Sequence, residues 1–355
     1  MKKRNLLGIL ILVMAVIFGA CSINTASSSA DNSTAGGVDP TEPIEIKIAH
    51  TSSETNMLHI GVLKFKEVAE AESNGRFVVN IFPNGQLASG DEGKADAVKN
   101  GVVQLSAVPT YTLGALANIS EYGFCDIPYL FDNDQEIYDM FEEDFVQELG
   151  DRLLDSTGIK TYIPYTCGWV KIATNKNPIH SPADIKGLKI RTPNTDVYME
   201  MIRSWGANPT PMNYSEVFTA LQQGTVDGVI AAGTNFGPDK LAEVTKYMAT
   251  VNPFPFVHVP IVNNAFYESL PDDLKVVFDH AMEEYVMETR RLHEIADAYV
   301  PEEVTALGMD VTVLNDEEFA AFKDASAYIK DQRVDQIGAE FLDKVTAVLE
   351  GYRSK

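Results

Sequence analysis

Arg191 is the residue of this chain best placed to bind something. It stands where the strand-like run Leu188-Lys189-Ile190 ends, and Pro193 then removes a backbone donor and stops further pairing. A guanidinium fixed at the end of a buried strand is a two-pronged donor matched to a carboxylate. A salt bridge between strand and helix would use the same placement, so the residues alone leave a ligand clamp and a structural ion pair level. Around Arg191, the stretch from Asp184 to Ile230 reads as strand, helix, proline-rich crossing, second helix and second strand.

Bond-making chemistry finds no comparable foothold. His50, His59, His180, His258, His280 and His293 show no zinc-like spacing with Cys or Glu. The chain holds no G-x-S-x-G elbow, no P-loop and no G-x-G-x-x-G turn. These residues call for no catalytic group, no cofactor and no metal. With 51 acidic against 28 basic residues and a net charge of −23, there is no basic stripe to neutralise phosphates, and nucleic acid is excluded as a partner. An apolar fraction of 45% over 355 residues supports a sizeable core and two domains.

The N-terminus reads as a targeting segment. Lys2, Lys3 and Arg4 precede an apolar run from Leu6 to Phe18, and Phe18-Gly19-Ala20-Cys21 follows. Small residues before a cysteine resemble the lipobox of bacterial lipoproteins, with Phe18 where Leu is usual. An ordinary signal peptide with a chance cysteine, or an uncleaved anchor, would share the pattern, although the run is short for a span of about 20 residues. The expectation is a signal peptide over 1–20, lipidation at Cys21 and a flexible tether over 21–43, whose Ser, Thr, Ala, Gly and Asn cannot build a core. That places the protein outside the cytoplasmic membrane, in the periplasm or on the cell surface. Cys125 and Cys167 remain, as a disulfide or as two buried thiols.

The elements that must hold Arg191 follow in order. Ile44, Ile46 and Ile48 alternate as a half-buried strand that runs out at His50. Leu58, Val62, Phe65 and Val68 share a helix face, and Phe77, Val79 and Ile81 form the next strand of a parallel crossover. The spacing predicts helices over Gln86–Asn100 and Gln135–Leu154. It predicts strands over Val102–Val108, Lys160–Tyr165 and Trp169–Thr174, with an aromatic loop over Tyr122–Phe131. In the central stretch it predicts a strand to Arg191, a helix over Thr195–Trp205, a helix capped by Ser215 and a strand over Val226–Ala231. Lys246–Asn263 is strand-rich. Ser269-Leu270-Pro271-Asp272-Asp273 starts a helix of roughly 45 Å, at about 1.5 Å per residue, reaching Tyr299. Two acidic helices, Asp316–Asp331 and Val334–Tyr352, close the chain.

Three ordered motifs carry a family likeness: Gly187-Leu188-Lys189-Ile190-Arg191-Thr192-Pro193, Gly206-Ala207-Asn208-Pro209-Thr210-Pro211, and Glu216 to Gly228 (EVFTALQQGTVDG). With Gly85-Gln86-Leu87 and Asn264 to Leu274, they resemble the substrate-binding proteins of tripartite ATP-independent periplasmic (TRAP) transporters, of the dicarboxylate-binding type. The resemblance covers nearly all of the chain after the tether. It implies an α/β fold of two lobes with a ligand cleft between them and a long helix spanning both. Lobe I would comprise 44–166 plus 252–290, lobe II 167–251 plus 291–315, and 316–355 would pack on them. It also implies capture of a small organic acid and its delivery to a sodium-driven membrane permease, with no covalent chemistry.

Carried over residue by residue, the resemblance puts the carboxylate clamp on Arg191, a polar contact on Asn194 and a packing aromatic on Tyr214. Trp169 and His50 match cleft positions, and Thr110 and Tyr111 lie in a loop near the solute. Two departures stand out. Val170 aligns with a second arginine of the sialic acid binders, and Ala231 with an asparagine, whose place Asn235 or Phe236 would partly fill. The pocket is then less polar on one side, which favours a monocarboxylate with a partly apolar or modestly hydroxylated body. Two other classes compete, a surface lipoprotein enzyme acting on a small acid and a ligand sensor outside transport.

Overall fold

A computed structural model describes residues 42–354. The expected signal segment, Cys21 and nearly all of the expected tether lie outside these residues. The chain opens with the parallel crossover β1 (Ile44–Ala49), α1 (Met57–Glu72) and β2 (Phe77–Phe82), in register from Ile44 against Phe77 to Ala49 against Phe82. Ile46, Ile48 and Val79 are buried on the period-two face that alternation selects. Asn56 caps α1, its side-chain oxygen accepting the Leu58 N–H at 3.0 Å.

Next come α2 (Gly90–Lys99), β3 (Leu105–Pro109), α3 (Thr110–Ala117), α4 (Asp134–Met140), α5 (Asp144–Thr157), β4 (Ile159–Thr161) and β5 (Tyr165–Thr174). The helix expected from Gln86 starts only at Gly90. The expected helix over Gln135–Leu154 is two helices, parted where Glu143 turns extended. Met140 and Val146 are both buried. Six residues apart, they would face different sides of one continuous helix, so the break lets both enter one core. The strands expected at 160–165 and 169–174 resolve into short β4 and one long β5. Gly168 sits inside β5 at a φ of +91°, where only glycine is comfortable.

The central stretch supplies β6 (Lys189–Thr192), α6 (Asp196–Ser204), β7 (Asn208–Pro211), α7 (Val217–Gln222) and β8 (Gly228–Ala232). The proline-rich crossing is itself a strand. β7 lies parallel to β6 from Lys189 against Asn208 to Thr192 against Pro211, at the end of the sheet, where missing amide donors are tolerated. Ser215 does not cap α7; a 3₁₀ turn over Tyr214–Glu216 leads into it. The remaining elements are β9 (Tyr247–Ala249), β10 (Pro255–Asn263), α8 (Asn264–Ser269), α9 (Asp272–Ala298), α10 (Val300–Ala306), β11 (Asp310–Thr312), α11 (Asp316–Ser326), α12 (Tyr328–Ile337) and α13 (Ala339–Arg353). Ser269 ends α8 rather than starting the long helix, and Asp272 and Asp273 fill the first turn of α9. The two expected terminal helices are three, with Gly338 at a φ of +100° between the last pair.

The strands run in the order β2-β1-β3-β10-β5-β8-β6-β7. This is a two-lobed α/β fold in which β5 changes partner along its length. Tyr165 and Thr166 of β5 pair with β10, whereas Val170 to Thr174 pair with β8. Gly168 falls at that change of partner, and a β-carbon there would stand 2.8 Å from atoms of both Thr234 and Asp297. The 27-residue α9 packs along α1 and against β5.

Helices α1 and α9 approach closely at Gly61. A β-carbon there would lie 1.9 Å from Thr289 Oγ1 and 3.2 Å from the Tyr285 ring. Gly61→Ala is therefore expected to cost about 1–3 kcal/mol through overpacking, read as a lower denaturant midpoint with unchanged slope. Thr289→Ala in the same chain should return part of the loss. Wild-type stability in Gly61→Ala would refute the close approach.

Candidate ligand-binding site

Arg191 is buried, 4% exposed, on β6. Its position follows from the register, since β6 runs between β8 and β7 and delivers the side chain past the last paired residues. Two of the five guanidinium donors are fixed: Nε and Nη2 both donate to the Met212 carbonyl, at 3.2 and 2.8 Å. The Tyr214 ring lies 5.6 Å from the guanidinium carbon, within cation–π reach. Among the described residues no carboxylate comes within ion-pair distance of Arg191. Burial pulls its pKa down, opposed by the nearby Tyr111, Tyr214 and Asp91. A buried cation with donors left over and no anionic partner is costly unless something anionic joins it. The even choice left by the residues thus falls against a structural salt bridge.

Those spare donors face a cavity of about 50 Å³. Val170, Ile230, Ala231, Ala232, Phe256 and Leu58 supply an apolar part of its lining. Asp91, Lys94, Tyr111 and His258 supply a polar part. Thr51, Ser52 and Asn56, beyond the end of β1, line it as well, with Tyr214 and Asn235. This is the region outside the carboxyl ends of parallel strands, where open α/β sheets bind ligands.

The polar side is tightly organised. Lys94, 1% exposed, pairs with Asp91 at 3.0 Å and donates to the Ala107 carbonyl at 2.8 Å. The Tyr111 hydroxyl donates to Asp91 at 2.7 Å. Burial pushes the Asp91 pKa up, but Lys94, His258 and Tyr111 outweigh it and hold the carboxyl below its usual range. Burial drives His258 down to about 3, so it is neutral at physiological pH. Its Nδ1 lies 2.9 Å from the Cys167 sulfur. Cys125 and Cys167 are both free and buried, so the alternative of a disulfide falls away.

A third group joins the opposite sides of the mouth. One oxygen of Asp239 accepts the Ser53 N–H at 3.1 Å. The other accepts the Asn56 amide at 3.0 Å and the Tyr214 hydroxyl at 2.8 Å. Asn56 also donates to Asn235 at 3.1 Å, and the hydroxyls of Ser53 and Thr55 donate to the Pro238 carbonyl. The start of α1 is thereby tied to residues 235–239 and, through Tyr214, to the ring beside Arg191.

Of the residues expected from sequence, the fold brings Arg191, Tyr111, Tyr214 and Asn235 to this cavity, and Val170 and Ala231 line it as well. Asn194 is exposed and lines an adjoining opening with Glu92 and Asn213. The others lie elsewhere. His50 is buried below the cavity, 2.9 Å from His59, and burial holds its pKa down at about 3. Thr110 is buried in the first turn of α3 and does not line the cavity. Trp169 packs against the core cluster around Val108 and Val257. Phe236 is fully buried in another cluster with Leu221 and Val229. Sequence reasoning passed over Asp91, Lys94, His258, Asn56 and Asp239. An Asp and a Lys three residues apart in a helix are not distinguishable by spacing from solvated charges, and an Asn ahead of a helix is an ordinary capping type.

Among the described residues, no group of three or more His, Cys, Asp or Glu could hold a metal ion. No described helix is long and apolar enough to cross a membrane.

Residues 48–336 match the family model described as bacterial extracellular solute-binding protein, family 7. The C4-dicarboxylate-binding periplasmic protein DctP of Rhodobacter capsulatus is 30% identical over 310 residues, covering 86% of this chain and 91% of the relative. A TRAP periplasmic solute-binding protein from Sulfurospirillum deleyianum, solved with bound succinate, superposes at a TM-score of 0.81 and 27% identity, over 87% of this chain and all of that one. Another from Polaromonas, bound to D-erythronate, superposes at 0.78 and 26% identity, over 85% of this chain and 98% of that one.

Asp239→Ala would leave an amide N–H, a side-chain amide and a phenol without their acceptor. The expected loss is about 1–3 kcal/mol, seen as a lower thermal midpoint. Tyr214→Phe, which deletes one of those bonds, should cost only about 0.5–1.5 kcal/mol. Equal midpoints for wild type and Asp239→Ala would show that the junction carries no load.

Proposed function

This chain belongs to the bacterial extracellular solute-binding proteins of family 7, and from that membership we propose that it captures a small organic acid between its lobes, with Arg191 holding the carboxylate. The observation that carries the reading is the buried guanidinium. It is braced by Met212, backed by Tyr214, free of any described carboxylate and open to an enclosed cavity. Family 7 serves transport rather than catalysis, so binding is the whole of the activity. The solute passes to the membrane permease of a TRAP transporter.

The relatives' acids span both dicarboxylates and hydroxylated monocarboxylates, succinate and D-erythronate among them. Here the apolar wall of Val170, Ile230, Ala231 and Phe256 favours a monocarboxylate with a partly apolar or modestly hydroxylated body. Closure would bring lobe I, 44–166 plus 252–290, against lobe II, 167–251 plus 291–315. The distribution of the buried clusters supports this division: two draw mainly on the first set of residues and two mainly on the second. The terminal helices, from 316 onward, pack on both. Asn194, at the adjoining opening, meets the solute as it enters.

Calorimetry with short carboxylic acids tests the clamp. Arg191→Ala should abolish detectable binding of any acid the wild type takes up. Arg191→Lys should weaken it by about tenfold or more, because a point charge cannot replace a planar fork, and charged hydrogen bonds are worth about 1.5–3 kcal/mol. Undiminished affinity in Arg191→Ala would remove the reading.

We also propose that Cys21 carries a lipid that anchors the protein to the cell membrane, the sequence before it having the form of a lipoprotein signal. In a bacterial host fed labelled palmitate, the wild-type chain should take up label and fractionate with membranes, whereas Cys21→Ser should do neither. Label retained in Cys21→Ser would overturn the anchor.

A further inference from the structure

We infer that Asp91 and Lys94 form the selectivity end of the cavity, accepting a neutral hydroxyl or oxo group on the solute and turning away a second carboxylate. The inference rests on the reading that Arg191 holds the first carboxylate. It then asks what the Asp91–Lys94 part of the lining can tolerate.

Charge balance is the first argument. The lining carries two cations, Arg191 and Lys94, and one anion, Asp91. That leaves one uncompensated positive charge, which a single carboxylate cancels. Buried charge must be matched closely because the interior screens poorly. A dianion would leave the closed cavity one negative charge in excess.

Hydrogen-bond inventory is the second. Lys94 has three N–H donors. One goes to the Ala107 carbonyl at 2.8 Å and one faces Asp91 at 3.0 Å, so one is left for a solute. Asp91 takes Lys94 on one oxygen and the Tyr111 hydroxyl on the other, and each oxygen keeps a further lone pair. A quarter of the Asp91 side chain remains accessible, and Asp91 lines the cavity. A donor and an acceptor side by side suit a hydroxyl, which is both. An oxo group would use the lysine donor alone. A second carboxylate would approach Asp91 at contact range, with the lysine charge already shared.

Size is the third. The cavity of about 50 Å³ compares with about 10–15 Å³ for one water on the same scale, so the acid has few carbons. Val170, Ile230 and Ala231 take up its aliphatic middle.

Calorimetry on the chain with residues 22–355, using 4-hydroxybutanoate, D-erythronate and succinate, tests the inference. Wild type should bind at least one of the two hydroxy acids 10-fold or more tighter than succinate. Asp91→Asn, equal in size and uncharged, should shrink that ratio 10-fold or more, mostly through tighter succinate. Asp96→Asn, which removes an exposed carboxylate of the same helix α2 outside the cavity lining, should leave the ratio within about threefold. Thermal midpoints of both variants report whether they fold, and the wild-type ratio decides the matter even where Asp91→Asn does not. Succinate binding as tight as, or tighter than, both hydroxy acids in wild type overturns the inference and leaves the Arg191 clamp standing. So does an unchanged ratio in folded Asp91→Asn. If wild type binds none of these acids, nor any acid in a wider carboxylate panel, the clamp and the inference fall together.

Discussion

A buried guanidinium without an anion beside it is the constraint on which this molecule turns. Taking Arg191 out of water costs several kcal/mol unless its donors are met. The protein meets some of them, with the Met212 carbonyl and the face of Tyr214. It leaves the rest aimed into a cavity. The incomplete satisfaction leaves the guanidinium suited to take an anion. A fully paired arginine would stabilise the fold and bind nothing.

Much of the architecture makes that state tolerable. The end strand β7 follows β6 and brings Met212 under the guanidinium. Asp239 fixes the Tyr214 hydroxyl while also accepting Ser53 and Asn56. The same carboxylate thus orients a ring beside the anion site and ties the start of α1 to the far side of the mouth. Opening would break these bonds together, so access to the site and the posture of Tyr214 are coupled by shared atoms. Gly168, at the change of partner in β5, lets one strand serve both lobes where a side chain would strike Asp297 and Thr234.

Legibility in the sequence followed the range of the interaction. The β1–α1–β2 crossover was readable because its signal is local: alternating isoleucines, then a helical stripe, then alternation again. The break between α4 and α5 was not, because it serves Met140 and Val146 reaching one core, a tertiary demand in a stretch that has no Gly or Pro to mark it. β7 was hidden for the opposite reason. Pro209 and Pro211 argue against a strand unless it lies at the edge, and edge position is a property of the assembled sheet.

The sequence alone determined the class of fold and the family motifs. Arg191 could be found because a strand end, an arginine and a following proline are neighbours in the chain, and local order is what sequence records. What shares the cavity with Arg191 was decided only in three dimensions. Trp169 and Phe236 looked like cleft aromatics and went to the core, because burying a large ring is worth more than exposing it. Asp91 and Lys94 have no local pattern that separates them from surface charges, yet they line the cavity, because α2 packs against β3 and carries their pair inward to the Ala107 carbonyl. Their distance from Arg191 along the chain is about a hundred residues. Folding alone brings them to one cavity.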